Sequence, residues 1–234
     1  MEKTKQRSRV SILIAILTLA VLTANASDFW LAKDWTQWSK SDSESMLADS
    51  PWAHTWRGGG PAGDQLAFTV QLRSALPIRQ AIVRQLQFDQ KYDKMTDAQR
   101  SAFDTRAAQI LSRGYDDAIL VHVDYSKGFG APYLPFVWFP SHSDTRVLDP
   151  SLVTEDGNRI IPTRFDSKPD HTFDLVFQRT KDGAPMIKEG QKHFSVQFHS
   201  PQFTNSNQGI DVPGRNVGVE FDLGKMVVSG KLNY

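Results

Sequence analysis

"TDAQRSAFDTRAAQILSRGYDDAILVHVDY", Thr96 to Tyr125, changes its hydrophobic period halfway along. Thr96-Asp97-Ala98-Gln99 has the form of a capping box, in which a Thr hydroxyl and a Gln amide satisfy the first free N–H groups of a helix. Phe103, Ala107, Ile110 and Leu111 then recur at helical spacing, and Gly114 is a natural stop. From Asp117 the pattern turns to the alternation of "AILVHVDY", as in a half-buried strand. A helix therefore feeds a strand, and the chain mixes both kinds of element.

Upstream, Ile78, Ile82 and Leu86 at spacing four predict a second helix from Pro77 to Gln90, with proline in its first turn. The short connection "YDKM" suits an antiparallel helical hairpin over 77–113. "LAFTVQL" (Leu66 to Leu72) alternates as a strand, and "RGGGPAGD" (Arg57 to Asp64) carries turn chemistry and reads as a flexible loop. Downstream, "RVLDPSLV", "NRIIPTRF", "TFDLVFQR", "HFSVQFH", "VGVEFDL" and "KMVVSGKL" are short and rich in Val, Ile and Phe, with turns at "EDGN" and "KDGAP". The expected fold class is α+β: an antiparallel β-sandwich or open barrel, with the α-helical hairpin inserted between its first two strands.

The N-terminus carries a different signal. Lys3, Lys5, Arg7 and Arg9 precede an uncharged run from Val10 to Ala24, followed by Ala24-Asn25-Ala26. A basic head, a short apolar body and a small-residue exit predict a secretory signal peptide over 1–26. The run is shorter than the roughly 20 apolar residues of a spanning helix, so membrane attachment is expected only through an uncleaved leader. Removing the leader's net +3 from the formal +1 leaves −2, and no basic tract remains to favour nucleic acid. A periplasmic or secreted chain follows. With no cysteine in the sequence, it has no disulfides, thiolate nucleophile or Cys-based metal site.

Residues 27–65 form a Trp-rich segment ahead of the β domain expected over 66–234, and five of the six tryptophans lie between Trp30 and Trp56. Ser41-Asp42-Ser43-Glu44 has capping-box form, and Ser50-Pro51 ends the helix it opens. The cluster is either a platform for polysaccharide or a clasp for the N-terminal arm. Without disulfides the clasp is the simpler use, with Trp52 its most buried member.

"DWTQWSKSDSESMLADSPWAHTW", "SALPIRQA" and "YDKMTDAQRSAFD" together resemble a family of exported bacterial proteins without an assigned function, seen mainly in acidobacteria. The resemblance runs over Trp35 to Tyr125 and implies export and this order of elements. It supplies no catalytic motif and hence no functional residue.

The motifs of common chemistries are missing. There is no Gly-x-Ser-x-Gly elbow, Ser-x-x-Lys pair, Walker A loop or Gly-x-Gly-x-x-Gly turn. His122 and Asp124 share one face of a strand about 6.6 Å apart, which reads first as an exposed polar face opposite Val121 and Val123, and alternatively as close enough to help hold one metal. His142, in "PSHSD", could complete such a site. His193 and His199 share a face as well, but stand about 20 Å apart along their strand. Asp116-Asp117 and Glu155-Asp156 are adjacent pairs at turns, which do not make the opposed acid and base of glycoside hydrolysis. Arg73, Arg79, Arg84, Arg100, Arg106 and Arg113 give the hairpin a basic cast, which Asp89, Asp93, Asp97 and Asp104 largely balance. "APYLPFVWFP" (Ala131 to Pro140) reads equally as an aromatic recognition loop or a proline-bounded edge strand.

These residues favour an exported non-enzymatic binding or structural protein of the bacterial envelope, with an unknown protein or polysaccharide partner and no cofactor. A metal-dependent hydrolase using His122, Asp124 and His142 is the alternative, and a carbohydrate-binding module the second.

Overall fold

The computed structural model describes residues 29–60, 63–126, 148–188, 190–200, 203–205, 210–212 and 214–234. The leader, His142 and the Ala131 to Pro140 stretch lie outside them. The chain divides into two compact units, 1–34 and 35–234. In the first, helix α1 (Phe29–Ala32) sets the Phe29 and Trp30 rings edge to face at 5.2 Å. No helix among the described residues is long and apolar enough to cross a membrane.

The second unit has the expected α+β class. Helix α2 (Lys40–Ala48) opens with a capping box, but at Ser39 and Asp42 rather than at Ser41 and Glu44. The two Ser-x-x-acid patterns overlap, and the upstream one is used: the Asp42 N–H donates to the Ser39 hydroxyl at 3.1 Å, and the Ser39 N–H to the Asp42 carboxylate at 2.9 Å. The helical hairpin is α3 (Leu76–Asp89) and α4 (Asp97–Ser112), with the box at Thr96 and Gln99 in place. Val83, Phe103 and Ala107 form its buried seam, and Trp35 packs against it from the N-terminal side.

One strand escapes the sequence reading. β1 (Ala53–Gly60) pairs antiparallel with β2 (Gly63–Leu72), so the glycine run is the end of a β-hairpin rather than a free loop. The Trp56 indole lies across Gly58, where a Cβ would fall 2.0 Å from the ring, and it packs on Phe68 at 5.9 Å. Glycine there lets a large ring cover the strand's own backbone. The helical hairpin is consequently inserted between the second and third strands.

β3 (Ala118–Asp124), β6 (Arg164–Lys168) and β7 (Thr172–Gln178) complete a five-stranded sheet in the order β1-β2-β3-β7-β6. A second sheet runs β13-β10-β4-β5, from β4 (Ser151–Thr154), β5 (Arg159–Ile160), β10 (His193–His199) and β13 (Asn216–Asp222). "NRIIPTRF" thus splits between the sheets. Pro162 falls between β5 and β6, where it has no N–H to continue a ladder. β11 (Phe203–Asn205) pairs with β12 (Ile210–Val212). "KDGAP" and "KMVVSGKL" each close a two-stranded hairpin, β8 (Thr180–Lys181) with β9 (Ala184–Pro185) and β14 (Val227–Val228) with β15 (Lys231–Leu232). Their turn residues, Asp182-Gly183 and Ser229-Gly230, take positive φ.

The sheets face each other through aromatic rings. Phe68 of β2 and Phe173 of β7 both meet Phe198 of β10 edge to face, at 5.3 and 5.4 Å. Phe194 stacks on Phe221 at 5.2 Å. With no disulfide available, this dry aromatic layer carries the hydrophobic stabilisation.

The tryptophan segment fastens onto this body. Trp52 is fully buried and Trp38 nearly so. The Trp52 Nε1–H donates to the Asn233 carbonyl at 2.5 Å, tying the N-terminal arm to a residue 181 positions later. Arg84 Nε donates to the Trp38 carbonyl at 2.7 Å, which anchors the arm to α3 as well.

Candidate functional site

Alternation along β2, β3 and β7 sends Phe68, Val70, Val121, Val123, Phe173 and Leu175 toward the second sheet. The opposite face carries a row of polar residues in register: Gln71, His122, Asp174 and Asp166 on four successive strands. Helices cover this face, and the Gln71 side-chain amide donates to the Leu47 carbonyl of α2 at 2.7 Å.

His122 is buried, and its partner is Asp174 of the neighbouring strand rather than Asp124. Nδ1 lies 2.7 Å from one Asp174 oxygen, and the Lys168 ammonium donates to the other at 2.5 Å. Burial raises the Asp174 pKa, but the bonds from His122 and Lys168 outweigh it and hold the carboxyl at about 2. For His122, burial lowers the pKa more than the bond to Asp174 raises it, and the Arg73 charge adds to the lowering. The imidazole is therefore neutral, with its proton on Nδ1, because an ionised carboxylate can only accept.

Asp124 shares the His122 face as expected, but its carboxylate accepts the Ser126 N–H at 2.8 Å. Among the described residues no group of three or more His, Asp or Glu side chains is placed to hold a metal. His193 and His199 sit at opposite ends of β10, and His199 bonds Asn216 at 2.9 Å. The turn acids are engaged locally. Glu155 accepts the Lys192 N–H at 2.6 Å, and Asp156 takes bonds from Lys188 and Thr154 that drive its pKa well below the usual carboxylate range.

The feature missed in the sequence is the sorting of the hairpin's charges. Asp89, Asp93 and Asp97 flank the tip where α3 ends and α4 begins, balanced there by Lys91, Lys94 and Arg100, the last of which pairs with Asp97. Arg79, near the start of α3, and Arg113, at the end of α4, stand at the other end. About ten residues of helix, roughly 15 Å by helical rise, separate Arg79 from Asp89. Arg73, Arg79, Arg106 and Arg113 line a cleft of about 510 Å³ between the hairpin and the polar sheet face, together with Lys168 and Asp174. Ile82, Ile110 and Leu120 supply an apolar wall. The Tyr115 ring contacts two guanidiniums, 5.5 Å from Arg79 and 5.4 Å from Arg113.

None of the four arginines has a carboxylate within ion-pair distance among the described residues. Arg79 Nη1 donates to the last carbonyls of α4, at 2.6 Å to Leu111 and 2.7 Å to Arg113, while its Nε is buried without an acceptor. Burial lowers the Arg73 pKa, opposed by the charges of Asp174, Asp124 and Asp170. One sequence signal points here: Arg106 lies in the last two turns of α4 and Arg113 is the residue that caps its end.

No protein family matches the chain, and no curated protein or solved structure matches it.

Proposed function

We propose that the chain is an exported, non-enzymatic binding protein of the bacterial envelope, with its ligand seated in the cleft between the helical hairpin and the five-stranded sheet. The observation that carries this reading is the cleft itself: about 510 Å³, within the size range of small-molecule sites, with an apolar wall beside convergent polar groups. The locked His122–Asp174–Lys168 chain supports it. Asp174 and Lys168 line the cleft, and the buried His122 imidazole bonds Asp174 and so fixes its position. The burial of Trp38 and Trp52 favours a clasp over a polysaccharide platform.

Export rests on the basic head, apolar run and Ala24-Asn25-Ala26 exit. N-terminal sequencing of the processed form should begin at Ser27, whereas an intact Met1 in the membrane fraction would make the leader an anchor. For the cleft, Gln109→Trp places an indole on its exposed helical rim without touching the seam. Wild type incubated with envelope extract should retain a small molecule at about one per chain, and Gln109→Trp should not. A wild type that retains none refutes the reading.

A further inference from the structure

We infer that the cleft takes a small organic molecule bearing at least two oxyanion groups, carboxylate or phosphate, held by Arg73, Arg106 and Arg113. The inference rests on the binding reading above and names the ligand's chemistry.

Charge supplies the first argument. The lining holds four arginines and Lys168 against the single carboxylate of Asp174, and that carboxylate already bonds His122 and Lys168. Asp124 and Asp170 also act on Arg73, but neither lines the cleft. A walled cleft of one sign focuses its field and concentrates ions of the opposite sign. On a free surface such arginines would be solvated singly. Here they line one cleft from the residue after β2, the start of α3, and the last turns and C-cap of α4.

The second argument is donor geometry. Guanidinium presents a planar fork that matches the two oxygens of a carboxylate or phosphate, which an ammonium does not. Arg79 commits Nη1 to the carbonyls ending α4, and Arg73 makes a long 3.4 Å contact to Gln71. Arg106 makes a long 3.4 Å contact to Gln90 and lies 6.0 Å over the Phe103 ring, and Arg113 faces the Tyr115 ring. Most of their donors thus remain available.

Shape supplies the third. The Ile82, Ile110 and Leu120 wall needs a carbon skeleton against it, so the ligand is organic rather than a bare ion. Arginines on opposite sides of the cleft call for more than one oxyanion group.

The test is calorimetric titration of the purified mature chain at low ionic strength with citrate, fructose 1,6-bisphosphate and neutral fructose. Saturable 1:1 binding of citrate or the bisphosphate, with none of fructose, is the expected result. Whichever of the two binds tighter identifies carboxylate or phosphate as the recognised group. Arg106→Gln and Arg113→Gln, exposed on α4 and at its C-cap, should each weaken it roughly tenfold, as loss of a charge-assisted bond does. Lys225→Gln with Lys231→Gln, outside the cleft, should leave it unchanged. Binding of neither anion, or equal weakening in the lysine control, overturns the inference. If wild type still retains an uncharged molecule that Gln109→Trp loses, only the oxyanion assignment falls; if it retains nothing, the binding reading falls with it.

Discussion

Replacing Trp52 with alanine tests the clasp at its centre. The indole is fully buried, its Nε1–H donates to Asn233, and its carbonyl accepts the Leu72 N–H at 2.9 Å. A buried tryptophan removes about 150–250 Å² from water, about 4–6 kcal/mol at 25 cal/mol per Å² as an upper bound. Alanine leaves the backbone bond but removes the ring and orphans the Asn233 carbonyl. Aromatic core truncations of this kind cost about 3–5 kcal/mol, and the lost hydrogen bond about 1 kcal/mol of that. Against a typical domain stability of about 5–15 kcal/mol, the variant should sit at the edge of folding. Trp52→Phe keeps most of the apolar body and loses only the N–H, so it should cost about 1–2 kcal/mol. Urea unfolding followed by far-ultraviolet circular dichroism gives both values, provided the slope of the transition is unchanged. A Trp52→Ala midpoint within about 1 kcal/mol of wild type would refute the clasp, because no buried indole is that dispensable.

Phe103→Asp should destabilise by at least about 4 kcal/mol, since it removes a ring packed with Val83, Ala107 and Tyr92 and buries a charge. An unchanged melting temperature would show that the hairpin seam is unpacked. Stability should also fall on acidification, in two windows. His122 has a folded-state pKa below its ordinary 6.5, so the unfolded chain takes up the proton first, and stability is lost as pH drops from about 6.5 through the lowered value. His54, lowered mainly by burial, acts in the same direction. Asp174, held at about 2 against 3.8, adds a second loss as pH falls from 3.8 through 2. Urea midpoints at pH 7.5 and 5.5 check the upper window. His122→Gln should shrink the difference without abolishing it, and a flat wild-type profile would mean that the imidazole is charged in the fold.

Local signals in the sequence were enough for the elements whose stop and start chemistry is self-contained. The Thr96–Gln99 box, the proline opening α3 and the Asp-Gly turns act within four residues, so they read correctly without tertiary information. The burial of Trp52 was legible for the same reason, because the Ser50-Pro51 stop fixes where the chain turns inward. β1 was not legible. Its glycines weaken the strand signal, and what makes it a strand is its ladder with β2 and the Trp56 ring lying over Gly58. The split of "NRIIPTRF" between two sheets likewise depends on partners far away in sequence.

The site divides along the same line. His122 and Asp124 do share a strand face, as alternation requires, but the partner of His122 is set by register across the ladder. Register brings Asp174, 52 residues later, to 2.7 Å. Counted along the chain, the hairpin over 77–113 carries five arginines and two lysines against four aspartates, a net +3. Folding sorts them, because antiparallel helices put the three turn acids with Lys91, Lys94 and Arg100 at one end and Arg79 and Arg113 at the other, where Arg73, just after β2, and Lys168 of β6 join them. Composition fixes the sum of charges, whereas Coulomb interactions depend on distance, and only the tertiary structure sets the distances.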